Sequence, residues 1–226
     1  MTVSSVTAFC PGHISGYFMP VLTDSPQTSG SCGAGIVIDK GVTVTVYPAA
    51  ESRILVSRKD ISDSAPVLVS DTSPVISSLL EEMGVTALVK TCSSLPLSAG
   101  YGLSAAAILA TSLAVCRLYD LSFSDKDCTA LAHRIEVQFR TGLGDVAACQ
   151  GYGWVEREGP GIDAIITRHP DDRPVFALSL GPLKTFSVLS SPSMMKRIRD
   201  AFPLHRPETI EDLFRLSRSF AEKSGL

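Results

Sequence analysis

The sequence predicts an α+β fold, and three observations lead there. Short β-branched runs fill the N-terminal part, helix caps appear only after them, and strands and helices then return in blocks rather than in strict alternation. With 226 residues, 45% of them apolar and 19% charged, the chain can bury one sizeable core and lies outside the composition of disordered or collagen-like proteins.

Val3–Phe9, Gly35–Asp39, Val42–Tyr47 and Arg53–Ser57 are rich in β-branched residues and read as strands, with a turn at Lys40-Gly41 between the middle pair. Ser73-Pro74 supplies an N-cap and a first-turn proline, and Gly84 ends the helix they open. Ala87–Thr91 returns to strand. Ser104–Tyr119 is apolar and Ala-rich, as suits a helix buried against a sheet. Ser124 and Asp127 form an acidic capping box for a helix that runs to about Phe139, and residues 140–144 form a loop. Gly151–Glu156, Asp163–Thr167 and Val175–Leu180 read as strands, and Ser193–Ala201 and Glu208–Glu222 as helices. A composition shift at Pro160-Gly161 divides the chain into residues 1–160 and 161–226.

Twenty basic against 23 acidic residues, a net charge of -3, leave no broad electropositive face for a phosphodiester backbone, so nucleic acid is not an expected partner. The most apolar stretch, Ala105–Cys116, is too short to cross a bilayer, and residues 1–9 lack the charged start of a secretory signal. No membrane partner and a cytoplasmic location are expected. Six cysteines without a C-x-x-C pair read as reduced, packed thiols.

The segment from Pro96 to Ala107 carries the first chemical signal. Its small residues and two glycines run straight into a helix, leaving backbone N–H groups free at a positive dipole end, which suits phosphate. Ser104, at the helix start, has a hydroxyl that can ligate Mg²⁺. Gly100-x-Gly102-x-x-Ala105 also meets the loose dinucleotide pattern, but Pro96 separates the loop from its strand, and Asp120 follows a helix where that pattern wants a strand end. Taken alone, the loop is as much a plain connector as a phosphate cradle.

A second segment shifts the balance. His133 and Glu136 share a helix face, and Asp145 follows the glycine turn Thr141-Gly142-Leu143-Gly144. Phosphoryl transfer needs a phosphate nest, oxygen ligands for Mg²⁺ and a carboxylate beside the attacking hydroxyl. Ser104, Glu136 and Asp145 together meet that need, although singly Glu136 reads as a solvated face and Asp145 as a cap.

Pro11-Gly12-His13, the 96–107 loop and Gly142–Asp145 stand in the order found in the GHMP small-molecule kinases, which most of residues 1–160 resembles. Residues 11–18, 30–36, 132–136 and 141–146 resemble the archaeal pantoate kinases within that superfamily. The resemblance implies a GHMP kinase fold, with an N-terminal half like the second domain of ribosomal protein S5 and an α+β C-terminal half, the site lying between them. It implies ATP-dependent phosphorylation of pantoate at its 4-hydroxyl, on the route to coenzyme A, by a homodimer. Pro96 and Ser98, Ala99, Gly100, Tyr101, Gly102, Leu103 and Ser104 would then hold ATP, Ser104 and Glu136 would hold Mg²⁺, and Asp145 would act as base or orienting carboxylate. His13 stands where most of the superfamily has Lys or Arg and would serve Asp145 as a hydrogen-bond donor. An acidic acceptor needs cations and donors around its carboxylate, and Ser31, His133 and Arg157 are the candidates. Three departures stand beside the likeness. Cys32 occupies a position where Arg is expected, nothing after Gly181 resembles the third glycine-rich superfamily motif, and the C-terminal half is expected to be either shortened or incomplete. Another acceptor, such as homoserine or shikimate, and a nucleotide-binding module without turnover are the competing readings.

Overall fold

The computed structural model describes residues 4–60, 62–179, 181 and 185–226. One seven-stranded sheet runs through them. Its strands are β1 (Val6–Val21), β2 (Gly30–Pro48), β3 (Arg53–Arg58), β4 (Val67–Ser70), β5 (Ala87–Ser93), β6 (Gly153–Arg157) and β7 (Ile166–His169). The order is β4-β3-β5-β2-β6-β7, with β1 paired to β2. All neighbours are antiparallel except β3 and β5.

β2 organises the sheet because its two halves take different neighbours. Residues 42–48 pair with β5 and residues 33–37 with β6, while β1 follows β2 along its length. The expected turn at Lys40-Gly41 is therefore absent, and the chain stays in strand through it. Pro11 faces Gly41, and β1 changes register just after it, which interrupts the alternation that a sequence reading relies on. A Cβ at Gly41 would come within 2.1 Å of the Cys10 carbonyl oxygen, so this crossing needs glycine.

The helices are α1 (Pro74–Glu82), α2 (Leu103–Tyr119), α3 (Asp125–Gln138), α4 (Asp145–Ala148), α5 (Thr185–Leu189), α6 (Pro192–Ala201) and α7 (Ile210–Ser224). α2 is buried almost all round. Ala106, Ile108, Ala110, Ala114 and Val115 have no exposed surface, and their small side chains let the helix lie close to β1 and β2. Together with α1, α3 and residues Val42, Val44, Val46 and Val89 it builds the larger core. A second core forms where α6 and α7 cover Tyr17, Ala34 and Trp154, with Leu213 and Phe220 as the main helix residues. Each fully buried Leu or Ile in these cores contributes about 1.5–3 kcal/mol of transfer free energy. Beside the second core, the Trp154 ring stacks on His169, centroids 3.5 Å apart and planes within 6°.

The strand expected at Asp163–Thr167 forms as β7, three residues later at its start. Residues 175–179 have no regular structure and Leu180 lies outside the described residues; Phe176, 96% exposed, has no core to enter. β4, α4 and α5 carry no strong local signal and were not expected. Cys10, Cys32, Cys116, Cys128 and Cys149 are buried free thiols and Cys92 is half-buried. Among the described residues no helix is long and apolar enough to cross a membrane.

Candidate active site

The turn between β5 and α2 is built for close approach. Gly100 and Gly102 have φ of 82° and 62°, a region that penalises side chains, and Ser98 shares it at 58°. Gly102 is the N-cap of α2 and no side chain satisfies the first N–H groups, so they remain free for an anion. The His13 amide donates to the Tyr101 carbonyl at 3.0 Å, which fixes this turn to β1. Residues 98–104 line a cavity of about 750 Å³, and Pro96 stands at the start of the turn, off its wall.

Asp145 meets the turn from the other side. A Cβ at Gly102 would be 3.4 Å from the Asp145 side chain, so turn and carboxylate face each other across van der Waals distance. Asp145 opens α4, its side chain 20% exposed on the cavity wall, with Oδ1 2.7 Å from Nδ1 of the fully buried His13. Burial drives the His13 pKa down more than the carboxylate raises it, so the imidazole is neutral and Nδ1–H donates to Asp145. Its Nε2 has no partner and lies 2.3 Å from where a Cβ on Gly35 would stand. Burial alone would raise the Asp145 pKa; the His13 hydrogen bond and the Arg157 charge outweigh it and hold the carboxyl below its ordinary range.

Beneath the wall, α3 carries a buried ion pair. Glu136 has no exposed surface; its Oε1 accepts the Asp145 amide at 3.0 Å and its Oε2 the Val146 amide at 3.5 Å. Burial and the nearby Asp145 charge push its pKa up, against the pull of His133. His133, one turn earlier, donates from Nε2 to the Ser29 carbonyl at 2.9 Å and holds Nδ1 3.5 Å from Glu136 Oε2. That second contact is an ion pair too poorly placed for a hydrogen bond, and Nδ1 is otherwise unpartnered. Burial would lower the His133 pKa, but Glu136 and the Ser29 carbonyl raise it overall.

Arg157, on β6, reaches the cavity from the opposite side. Its Nη1 donates to Ser31 Oγ at 3.2 Å across the β2–β6 pair, and its Nε has no partner although the residue is buried. Burial depresses its pKa, and Asp145 and Glu136 oppose that. Cys32, the next residue along β2, points its thiol to the Met19 carbonyl and does not line the cavity.

A divalent cation fits this arrangement. Glu136 Oε1 and Asp145 Oδ2 lie 2.3 and 2.7 Å from the point a Cβ on Gly142 would occupy, so glycine keeps open a notch between two carboxylates. Among the described residues no cluster of three His, Cys, Asp or Glu surrounds it; Asp145 and Ser104 line the cavity, and Glu136 lies just behind its wall. Hard oxygen donors in small number suit Mg²⁺, which takes its remaining ligands from phosphates and water.

The fold thus gathers the 98–104 turn, Ser31, Asp145 and Arg157 on one cavity, with His13, Glu136 and His133 behind its wall. Motif reasoning missed the opposite wall, to which α5 gives Thr185 and Phe186 and α7 gives Phe220 and Ala221; their positions depend on tertiary docking and leave no local signal.

Residues 71–151 match the family described as GHMP kinases N terminal domain. A pantoate kinase of Methanospirillum hungatei JF-1 is 49% identical over 226 residues, covering all of this chain and 78% of that protein. A pantoate kinase of Methanocaldococcus jannaschii is 28% identical over 235 residues, covering 96% of this chain and 80% of its own. A solved structure described as a phosphotransferase related to the CoA biosynthesis pathway superposes with a TM-score of 0.72 at 26% identity, covering 98% of this chain and 76% of that one. The identity to the M. hungatei protein along the whole chain and the shared fold lead to one conclusion: this chain belongs to the pantoate kinase family of the GHMP kinases.

Proposed function

We propose that the protein is a kinase of coenzyme A biosynthesis that transfers the γ-phosphoryl group of ATP to the 4-hydroxyl of pantoate. The observation that carries the choice of an acidic acceptor is Arg157. A buried guanidinium with one side-chain hydrogen bond and a free Nε, set on the same cavity as a carboxylate and a phosphate cradle, has donors to spare for an acid. In this reading Ser31 and Arg157 hold the pantoate carboxylate, and the free N–H groups of residues 98–104 hold the triphosphate.

Ser104 and Glu136, beside Asp145, would hold Mg²⁺, which supplies charge neutralisation to the phosphates. Asp145 is ionised and fixed by the His13 N–H, so it can accept the acceptor hydroxyl's hydrogen bond. As that oxygen bonds to the γ-phosphorus, its proton passes to Asp145, the bond from phosphorus to the bridging oxygen breaks, and ADP leaves. The neutral His13 orients this carboxylate. We assign residues 1–160 to the ATP-binding half and 161–226 to the half that closes the acid side, and we place the enzyme in the cytoplasm as a homodimer, which sedimentation tests.

ADP release with Mg·ATP against pantoate, homoserine, shikimate and mevalonate tests the reading. Turnover on pantoate alone is expected. Turnover on a different acceptor instead would reassign the acid site, and nucleotide binding without turnover on any of them would make the chain a binding module.

A further inference from the structure

Gly144, the residue before α4, has φ of -173° and ψ of 8°, and the space around it admits no side chain. A Cβ at this position would stand 1.4 Å from Arg157 Nη1, 2.7 Å from its Cζ and 2.8 Å from Ser31 Oγ. The guanidinium therefore lies in a seat that exists because residue 144 has no side chain. β6 is paired on both edges, to β2 and β7, so the strand that bears Arg157 cannot step aside. The guanidinium's remaining route is into the cavity that it lines.

We propose that Gly144 is a specificity-determining position: it reserves the seat of Arg157 and thereby fixes where the acceptor's carboxylate binds. This rests on the reading of Arg157 as the acid-binding group. Any side chain at 144 displaces the guanidinium into the volume meant for the acceptor, both misplacing the cation and filling the site. The neighbouring glycine serves a different purpose, since a Cβ at Gly142 would meet Glu136 and Asp145. The two glycines of the turn thus divide the cavity, one bordering the phosphoryl side and the other the acid side.

Steady-state ADP release by Gly144→Ala, Arg157→Ala and the double variant tests this, with wild type as control. Gly144→Ala should raise KM for pantoate about tenfold or more, change kcat less, and leave KM for ATP unchanged, because only a ground-state contact to the acid is lost. Adding Gly144→Ala to Arg157→Ala should lower kcat/KM far less than it does in the wild-type background, since the guanidinium is gone and only the Ser31 hydroxyl, at 2.8 Å, still has to turn aside. Equal losses with and without Arg157, or an unchanged pantoate KM in Gly144→Ala, would overturn the proposal. If Gly144→Ala does not fold, a folded double variant supports the seat and an unfolded one refutes it. Failure of the underlying reading is distinguishable, because Arg157→Ala alone would then leave the pantoate KM at its wild-type value.

Discussion

Asp145 keeps its charge in a largely enclosed place because a neutral donor and a distant cation compensate for lost water. Replacing it with Asn removes the proton acceptor but keeps shape and hydrogen bonding. Asp145→Asn should therefore lower kcat about 100-fold or more with ATP affinity nearly unchanged, as single-turnover and nucleotide-binding measurements would check. The two buried histidines titrate in opposite directions from the ordinary 6.5, His13 below it and His133 above it. For His133 the folded protein holds the proton more tightly than the unfolded chain. Its stabilising contribution is thus complete below pH 6.5 and fades as pH rises through the folded pKa. For His13 the unfolded chain takes the proton first, and stability falls as pH drops below 6.5. NMR titration of the ring protons should separate the two midpoints, and thermal unfolding of His133→Gln should approach wild type as pH rises. At this scale the sequence named candidate residues more readily than what they touch. His13, Glu136 and Asp145 were legible from their motifs, but that Glu136 spends its oxygens on the Asp145 and Val146 amides, and that His133 faces Ser29 and not the cavity, depends on strands distant in sequence.

The longer helices announced themselves because their ends are local chemistry. Ser124 and Asp127 cap α3 reciprocally, the Asp127 amide donating to Ser124 Oγ at 3.1 Å and the Ser124 amide to Asp127 Oδ2 at 2.9 Å. Ser124→Ala should cost about 1 kcal/mol in urea unfolding, because one first-turn amide loses its acceptor. The long strands were legible only in pieces. Pairing of Pro11 with Gly41 and the register changes around His13 and Ser15 belong to the contact between β1 and β2, and no short window of sequence contains both partners. Residues 175–179 show the reverse failure, a β-like run of Val, Phe and Leu that finds no neighbouring strand among the described residues.

Among the described residues the two larger cores share β1 and β2, so the strands that carry His13 and Ser31 are anchored at both ends. α7 docks on β1 over Gly16, where a Cβ would fall 2.3 Å from Ser217 Oγ. Gly16→Ala should lift the helix and destabilise the protein by about 1–3 kcal/mol, and Gly16→Ala with Ser217→Ala should recover much of that. Hydrogen exchange should localise the loss to α7, and because Phe220 and Ala221 face the cavity, acceptor binding should weaken with it.

Trp154 is the single tryptophan of the chain, and it lies flat against an imidazole three positions before Arg157 on the same strand. A stacked imidazole can quench an excited indole by charge transfer, so the emission of Trp154 should be sensitive to this contact. A small shift of that strand when an acid engages the guanidinium would alter the brightness, which gives the unlabelled protein an optical gauge of its own occupancy.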